Sequence, residues 1–247
     1  MPLNELETHP YLTYLDDEPD YSSYQSMIIG SYPIYAISSS APVEPTGVHK
    51  RANWHFGAFM QFFYGSRKSV FWQRFNQSLG ENLPLNPTRQ DAIALLRKCD
   101  FLITDVINSL FREGYSASDN HLHIVTRNGA IINQLRQMSG NELFFTAAAN
   151  MLPFRTFRAI LTHNGHNPIF TRIGNFRNLS FVFEGKKFNI GFLFSPSRQG
   201  AINQNRIAEY QHYLQLIPNT PYADFVRVQW HQLLFHKNMA FDGSNPI

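Results

Sequence analysis

The chain has 247 residues, 43% of them apolar and 16% charged, enough for one large globular domain with a sizeable core. A single cysteine, Cys99, excludes an intramolecular disulfide, an all-cysteine zinc site and a cysteine-ligated iron–sulfur cluster. The net charge of +3 is unevenly spread: residues 1–20 hold six of the 18 acids and none of the 21 Lys and Arg.

An acidic leader before a basic body fits an anionic partner such as nucleic acid; an ordinary basic surface with a mobile acidic tail fits the same count. No apolar run approaches the length of a membrane span, and MPLNELETHP lacks the basic–apolar–small pattern of a signal segment. The expected location is the cytoplasm.

Residues 1–26 are polar, tyrosine-rich and punctuated by proline, and read as an extended acidic arm before a single domain over 27–247. SMIIGSYP gives a short apolar run ending at Gly30, expected as a buried strand that enters a long Ser/Pro/Gly loop. From Ser69, the positions Phe71, Phe75 and Leu79, with Trp72 beside them, share one helical face. TRQDAIALLRKC opens with Thr88 and Asp91 in capping-box spacing, which predicts a helix. DFLITDVI follows as a strand, NGAIINQLRQMSG as a helix, ELFFTAA as a strand and PFRTFRAIL as a helix with Pro153 in its first turn. LSFVFEGKKFNIGFLF reads as two strands around a turn at Glu184–Lys187, then come helices in AINQNRIAEYQHYLQLI and ADFVRVQWHQLLF.

Strands alternating with helices predict an α/β fold: three layers, α/β/α, around a mostly parallel central sheet. Such sheets bind ligands beyond the carboxyl ends of their strands. That rule directs attention to the loops after Ile29, after DFLITDVI and after Phe194.

The stretch FFYGSRKSVFWQRF, Phe62 to Phe75, sets Ser66, Arg67, Lys68 and Ser69 among six aromatic residues. Ser66 or Ser69 can cap the following helix, whose N-terminus favours an anion; Arg67 and Lys68 add to that preference, and Tyr64 offers a flat face for stacking. The same residues also fit buried aromatics beside solvated cations. SPSRQG, following a strand and preceding a helix, offers Ser195, Ser197, Arg198 and backbone N–H groups suited to a DNA backbone. No dinucleotide or nucleoside-triphosphate glycine motif is present. GYSAS, Gly114 to Ser118, lacks the second glycine of a nucleophile elbow and reads as a polar loop. The pairs His121/His123 and His163/His166 lack partners at ligand spacing apart from Asp119, so no metal site is expected.

Taken in order, four blocks resemble the uracil-DNA glycosylase superfamily, most closely its mismatch-specific and deoxyinosine (hypoxanthine) branch. These are IIGSYP, FFYGSRKSVFW, FLITDVINSLFREGYSASD and FLFSPSRQGA, within residues 27 to 235. The resemblance implies a glycosylase fold and hydrolysis of the N-glycosidic bond of a base flipped out of DNA, without metal or cofactor, and leaves the oligomeric state open. Residue by residue, it puts Tyr64 under the flipped base and Gly30, Ser31 and Tyr32 in the first catalytic loop. Asp105 falls at an acidic position taken here as base-binding. Ser69 falls in the second block, Ser195 in the closing loop, and Arg67, Lys68, Ser197, Arg198 and Gln199 against DNA. Three positions depart from the pattern: Tyr32 stands where other branches carry Asp or Asn, Ser69 where the deoxyinosine branch has Asn, and Phe194 where the closing motif has Pro. These departures leave two outcomes open, an active glycosylase or a protein that holds DNA or a nucleobase without turnover.

Overall fold

A computed structural model describes residues 6–15, 20–33, 60, 62–65, 69–79, 83–84, 87–113, 119–147, 150–173, 178–194 and 207–235. Its centre is a six-stranded sheet. Four strands run parallel in the spatial order β3 (Phe101–Asp105), β2 (Ser26–Gly30), β6 (Glu142–Phe145) and β9 (Lys186–Phe192). Two antiparallel strands, β8 (Asn178–Phe183) and β7 (Thr171–Ile173), complete one edge. The fold is therefore mixed α/β with a mostly parallel central sheet, as the alternation of elements predicts.

The helices cover both sheet faces because the strands alternate their side chains between two apolar cores. Ile28, Phe101, Ile103 and Phe144 point into one core, with residues of α1 (Phe71–Leu79), α2 (Arg89–Lys98), α5 (Ala208–Leu216) and α6 (Tyr222–Phe235). Met27, Ile29, Leu102, Leu143 and Phe145 point into the other, against α3 (Ala130–Gln137) and α4 (Leu152–His163). β2 and β3 are buried at every position, which explains why they read as unbroken apolar runs. α2 carries the expected capping box: Thr88 accepts from the Asp91 amide, and the Asp91 carboxylate accepts from the Thr88 amide. Cys99 lies half-buried at the end of that helix, packed against the first core. The hairpin between β8 and β9 turns at Glu184 and Gly185, both left-handed at φ 48° and 83°.

Two features differ from the sequence reading. DFLITDVI is not one strand, because the chain leaves the central sheet at Val106. It continues as β4 (Ile107–Arg112) in a second, antiparallel sheet of order β1 (Glu7–Thr8), β4, β5 (Leu122–Arg127). Residues 6–15 of the acidic arm are docked on the domain: β1 pairs with β4, and Tyr11 and Leu15 are buried in the two cores. Among the described residues no helix is long and apolar enough to cross a membrane.

Strand order locates the site. The connection after β2 leads to the α1/α2 face and on to β3, while that after β6 leads to α4 on the opposite face. The two chains diverge between neighbouring parallel strands, and such a switch point opens a crevice at the carboxyl ends.

Candidate functional site

Gly30 ends β2 and lies in register with Asp105 at the end of β3. The Thr146 amide, just past β6, donates to the Ile29 carbonyl at 3.1 Å, so the three strand ends are level. A Cβ at Gly30 would collide with the Tyr64 hydroxyl and with Asp105 Oδ1. Only the missing side chain lets both polar atoms lie over the Gly30 Cα. Gly30, Tyr64 and Asp105, drawn from three separate sequence blocks, are thus brought together.

Tyr64 reaches this place through a tight turn. Its backbone is left-handed at φ 54°, the Gly65 amide donates to the Phe62 carbonyl at 3.0 Å, and the Phe63 carbonyl accepts from the Trp72 indole at 2.6 Å. The Tyr64 ring stacks on Phe71 at 4.3 Å and 18°. Its hydroxyl is hydrogen-bonded to Thr146 Oγ1 at 3.0 Å, and Thr146 Oγ1 lies 3.5 Å from the Ile29 carbonyl. Phe62 and Phe63 are fully buried core, so of the three adjacent aromatics only Tyr64 reaches the strand ends.

Asp105 is 3% exposed. Its Oδ2 lies 2.9 Å from His9 Nε2, while Oδ1 has no hydrogen-bond partner among the described residues. Its backbone is fixed from the far side by Asn128, whose amide donates to the Asp105 carbonyl at 2.9 Å and to Thr104 Oγ1 at 3.0 Å. His9 arrives on the docked arm: its amide donates to the Asn108 carbonyl at 2.8 Å, and its ring packs on Tyr32 and Phe63 with centroids 5.1 and 5.2 Å away. The arm is anchored one residue pair earlier by Glu7 and Arg112, both buried, whose two-pronged contact spans 2.9 and 3.2 Å.

The remaining expected residues have different fates. Tyr32 is buried; the Arg112 guanidinium lies 5.7 Å from its ring centroid, and its hydroxyl has no partner among the described residues. Burial, and next the Glu7 charge, push the Tyr32 phenol well above its ordinary value, with Arg112 opposing and Asp105 reinforcing. Ser31 is half-buried and its carbonyl accepts from the Ile107 amide at 3.2 Å. Ser69 acts on its helix as expected, accepting from the Phe71 amide at 3.3 Å. Arg67, Lys68, Ser195, Ser197, Arg198 and Gln199 lie outside the described residues, as does GYSAS. The chain leaves β9 at the same sheet edge, with the Leu193 amide on the Phe145 carbonyl at 2.8 Å and the Phe194 carbonyl held by the Trp230 indole at 2.9 Å.

His9 and Thr146 were not singled out by sequence. Thr146 had a signal, the first polar residue after an apolar strand; His9 had a fainter one, the alternation of Glu7, His9 and Tyr11. The histidine pair His121/His123 does find a carboxylate, Glu113, at 3.0 and 2.7 Å, one oxygen for each ring. These hydrogen bonds hold the Glu113 carboxyl below its ordinary value. Among the described residues no group of three or more His, Cys, Asp or Glu is arranged to hold a metal ion.

The site thus combines an acceptor-only carboxylate oxygen, two linked hydroxyls and a stacked phenol at the switch point of a parallel sheet. No family model, no curated protein and no solved structure matches this chain.

Proposed function

We propose that this chain is a DNA glycosylase that hydrolyses the N-glycosidic bond of a deaminated base, hypoxanthine or uracil, flipped out of DNA. The observation that carries the reading is the meeting of Tyr64 Oη and Asp105 Oδ1 over Gly30. These residues were picked out by one family resemblance from blocks far apart in sequence, and they share the strand ends where open α/β sheets bind ligands. In this reading the Tyr64 face opposite Phe71 receives the extruded base and Asp105 Oδ1 contacts its edge. The assignment of the fold as uracil-DNA glycosylase-like belongs to the same proposal. In the reaction a water oxygen bonds to C1′ as the C1′–N bond breaks, the bonding pair leaves with the base, and the water proton passes to solvent or to the departing base.

The test is incubation of purified protein with duplex oligonucleotides containing hypoxanthine, uracil or a G·T mismatch, followed by alkali. A strand break at the modified base is expected. Intact strands with all three substrates overturn the reading.

Two observations favour a second reading, a protein that binds DNA or a nucleobase without turnover. The Tyr32 hydroxyl is buried among His9, Glu7 and Arg112, and the Ser69 hydroxyl already serves the Phe71 amide. At the two positions that the resemblance assigns to water handling, one hydroxyl is thus buried and the other is engaged in helix capping. That protein would bind DNA in a salt-dependent way, lose affinity on Arg198→Ala, and cut nothing.

A further inference from the structure

We infer that His9 is a positioning residue of this site: by fixing Asp105 it makes the site selective for a ligand edge that offers a ring N–H. The ligand's identity as a base in DNA rests on the function proposed above; the hydrogen-bond logic does not.

Neighbouring groups set the tautomer of His9. The Tyr11 amide donates to His9 Nδ1 at 3.1 Å, so Nδ1 carries a lone pair and the ring proton sits on Nε2. Nε2–H then donates to Asp105 Oδ2 at 2.9 Å. The ring is held in this orientation by Tyr11, Tyr32 and Phe63 packed around it, and its side chain is fully buried. One Asp105 oxygen is thereby committed, and the carboxylate is prevented from rotating to exchange the two.

The other oxygen, Oδ1, is buried, has no donor among the described residues and lies over Gly30 with the Tyr64 hydroxyl. The Tyr64 hydroxyl is bonded to Thr146 and makes no hydrogen bond to Asp105 Oδ1. A buried acceptor that no described residue satisfies calls for a donor from a ligand. A carboxylate oxygen only accepts. It suits the ring N–H of hypoxanthine, uracil or thymine and opposes the ring-nitrogen lone pair of adenine or cytosine. Deamination of adenine or cytosine converts that lone pair into an N–H, so an acceptor locked against the ring nitrogen, and not against the exocyclic amino group of the parent, distinguishes each damaged base from its parent.

The arm therefore contributes to the site as well as to stability. β1 pairing, the Glu7–Arg112 contact and the His9 amide bond to Asn108 fix the position of one imidazole nitrogen.

The experiment compares wild type, His9→Leu and His9→Gln for binding to matched oligonucleotides that carry hypoxanthine or adenine at one position. Gln can place an amide N–H near the position of Nε2; Leu cannot. Wild type is expected to prefer hypoxanthine, His9→Leu to lose about tenfold or more of that preference, and His9→Gln to keep much of it. A structural role alone lowers both affinities together and leaves the ratio unchanged, which overturns the inference. Independently of variant folding, the His9 Nε2–H resonance in ¹⁵N-labelled wild type is followed while the hypoxanthine oligonucleotide, or free hypoxanthine or uracil, is added. Movement of this signal supports the inference even where no strand is cut, in which case the glycosylase reading alone fails. A signal that none of the three probes moves overturns it, whatever the cleavage assay shows.

Discussion

Glu7 and Arg112, 105 positions apart, form a buried two-pronged ion pair that fastens the start of the chain to the second sheet. Arg112 donates a further bond, 2.8 Å long, to the Pro33 carbonyl, so one guanidinium holds both the arm and the segment beyond β2. Truncating one member of such a pair strands the other charge in the interior. Arg112→Met should cost about 3–5 kcal/mol in urea denaturation. Adding Glu7→Leu to that variant should restore part of the loss, because the double change removes the uncompensated charge but leaves the Pro33 carbonyl without its donor.

Tyr32 occupies a position where a catalytic hydroxyl and a merely buried one give opposite outcomes. Its oxygen is shielded and has no partner among the described residues, so Tyr32→Phe removes an unsatisfied group and should leave stability equal or slightly higher. The folded phenol titrates above its ordinary value of 10.0 while the unfolded one does not. Above about pH 10 the unfolded state therefore holds fewer protons than the native state, and stability falls as pH rises. Thermal melts across pH 8 to 11 should show that decline in wild type and a shallower one in Tyr32→Phe. If Tyr32→Phe abolishes base excision without changing stability, the hydroxyl is a participant.

The layered fold was legible because burial on both faces writes a parallel strand as an unbroken apolar run, as in Met27 to Ile29 and Leu102 to Ile103. The capping box at Thr88 and Asp91 was legible for a local reason: all of its atoms lie within one turn. The break at Val106 was not, since apolar residues continue through it and only tertiary pairing moves Ile107 into another sheet. The arm was misleading for a related reason. Its buried side chains include Glu7 and His9, residue types that composition assigns to solvent, and their partners Arg112 and Asp105 lie about a hundred positions away. Tyr64, Gly30 and Asp105 were reached through family resemblance; strand register sets Gly30 beside Asp105, and only the tertiary placement of the Tyr64 turn brings its hydroxyl to them.

Ser69 stands where the resembling branch carries Asn, and its local bond allows the two roles of that position to be separated. The hydroxyl accepts from the Phe71 amide at 3.3 Å, one of the N–H groups that α1 leaves unpaired at its start. Ser69→Ala should cost about 0.5–1 kcal/mol in chemical denaturation. Asn makes the same two-residue turn at least as well as Ser, so Ser69→Asn should match or exceed wild-type stability. If that position handles water in an active glycosylase, Ser69→Asn should also cut hypoxanthine-containing duplex faster than wild type. An unchanged rate confines Ser69 to helix capping.

Gly30 supplies the most direct test of the site's geometry. A methyl group there meets the Tyr64 hydroxyl and Asp105 Oδ1, the far ends of two side chains that could ordinarily swing away. Here neither is at liberty to do so. Tyr64 is stacked on Phe71 and bonded to Thr146, and Asp105 is tied to His9 and fixed at its backbone by Asn128. Gly30→Ala should therefore cost about 1–3 kcal/mol, the range for an added carbon in a packed interior, and should shift the His9 Nε2–H resonance by displacing Asp105. Combining it with Tyr64→Phe removes one of the two colliding atoms and should recover part of the stability while the His9 signal stays displaced. If Gly30→Ala instead melts like wild type with the His9 signal in place, the two oxygens do not share the space above Gly30, and the site proposed at this strand end loses its central contact.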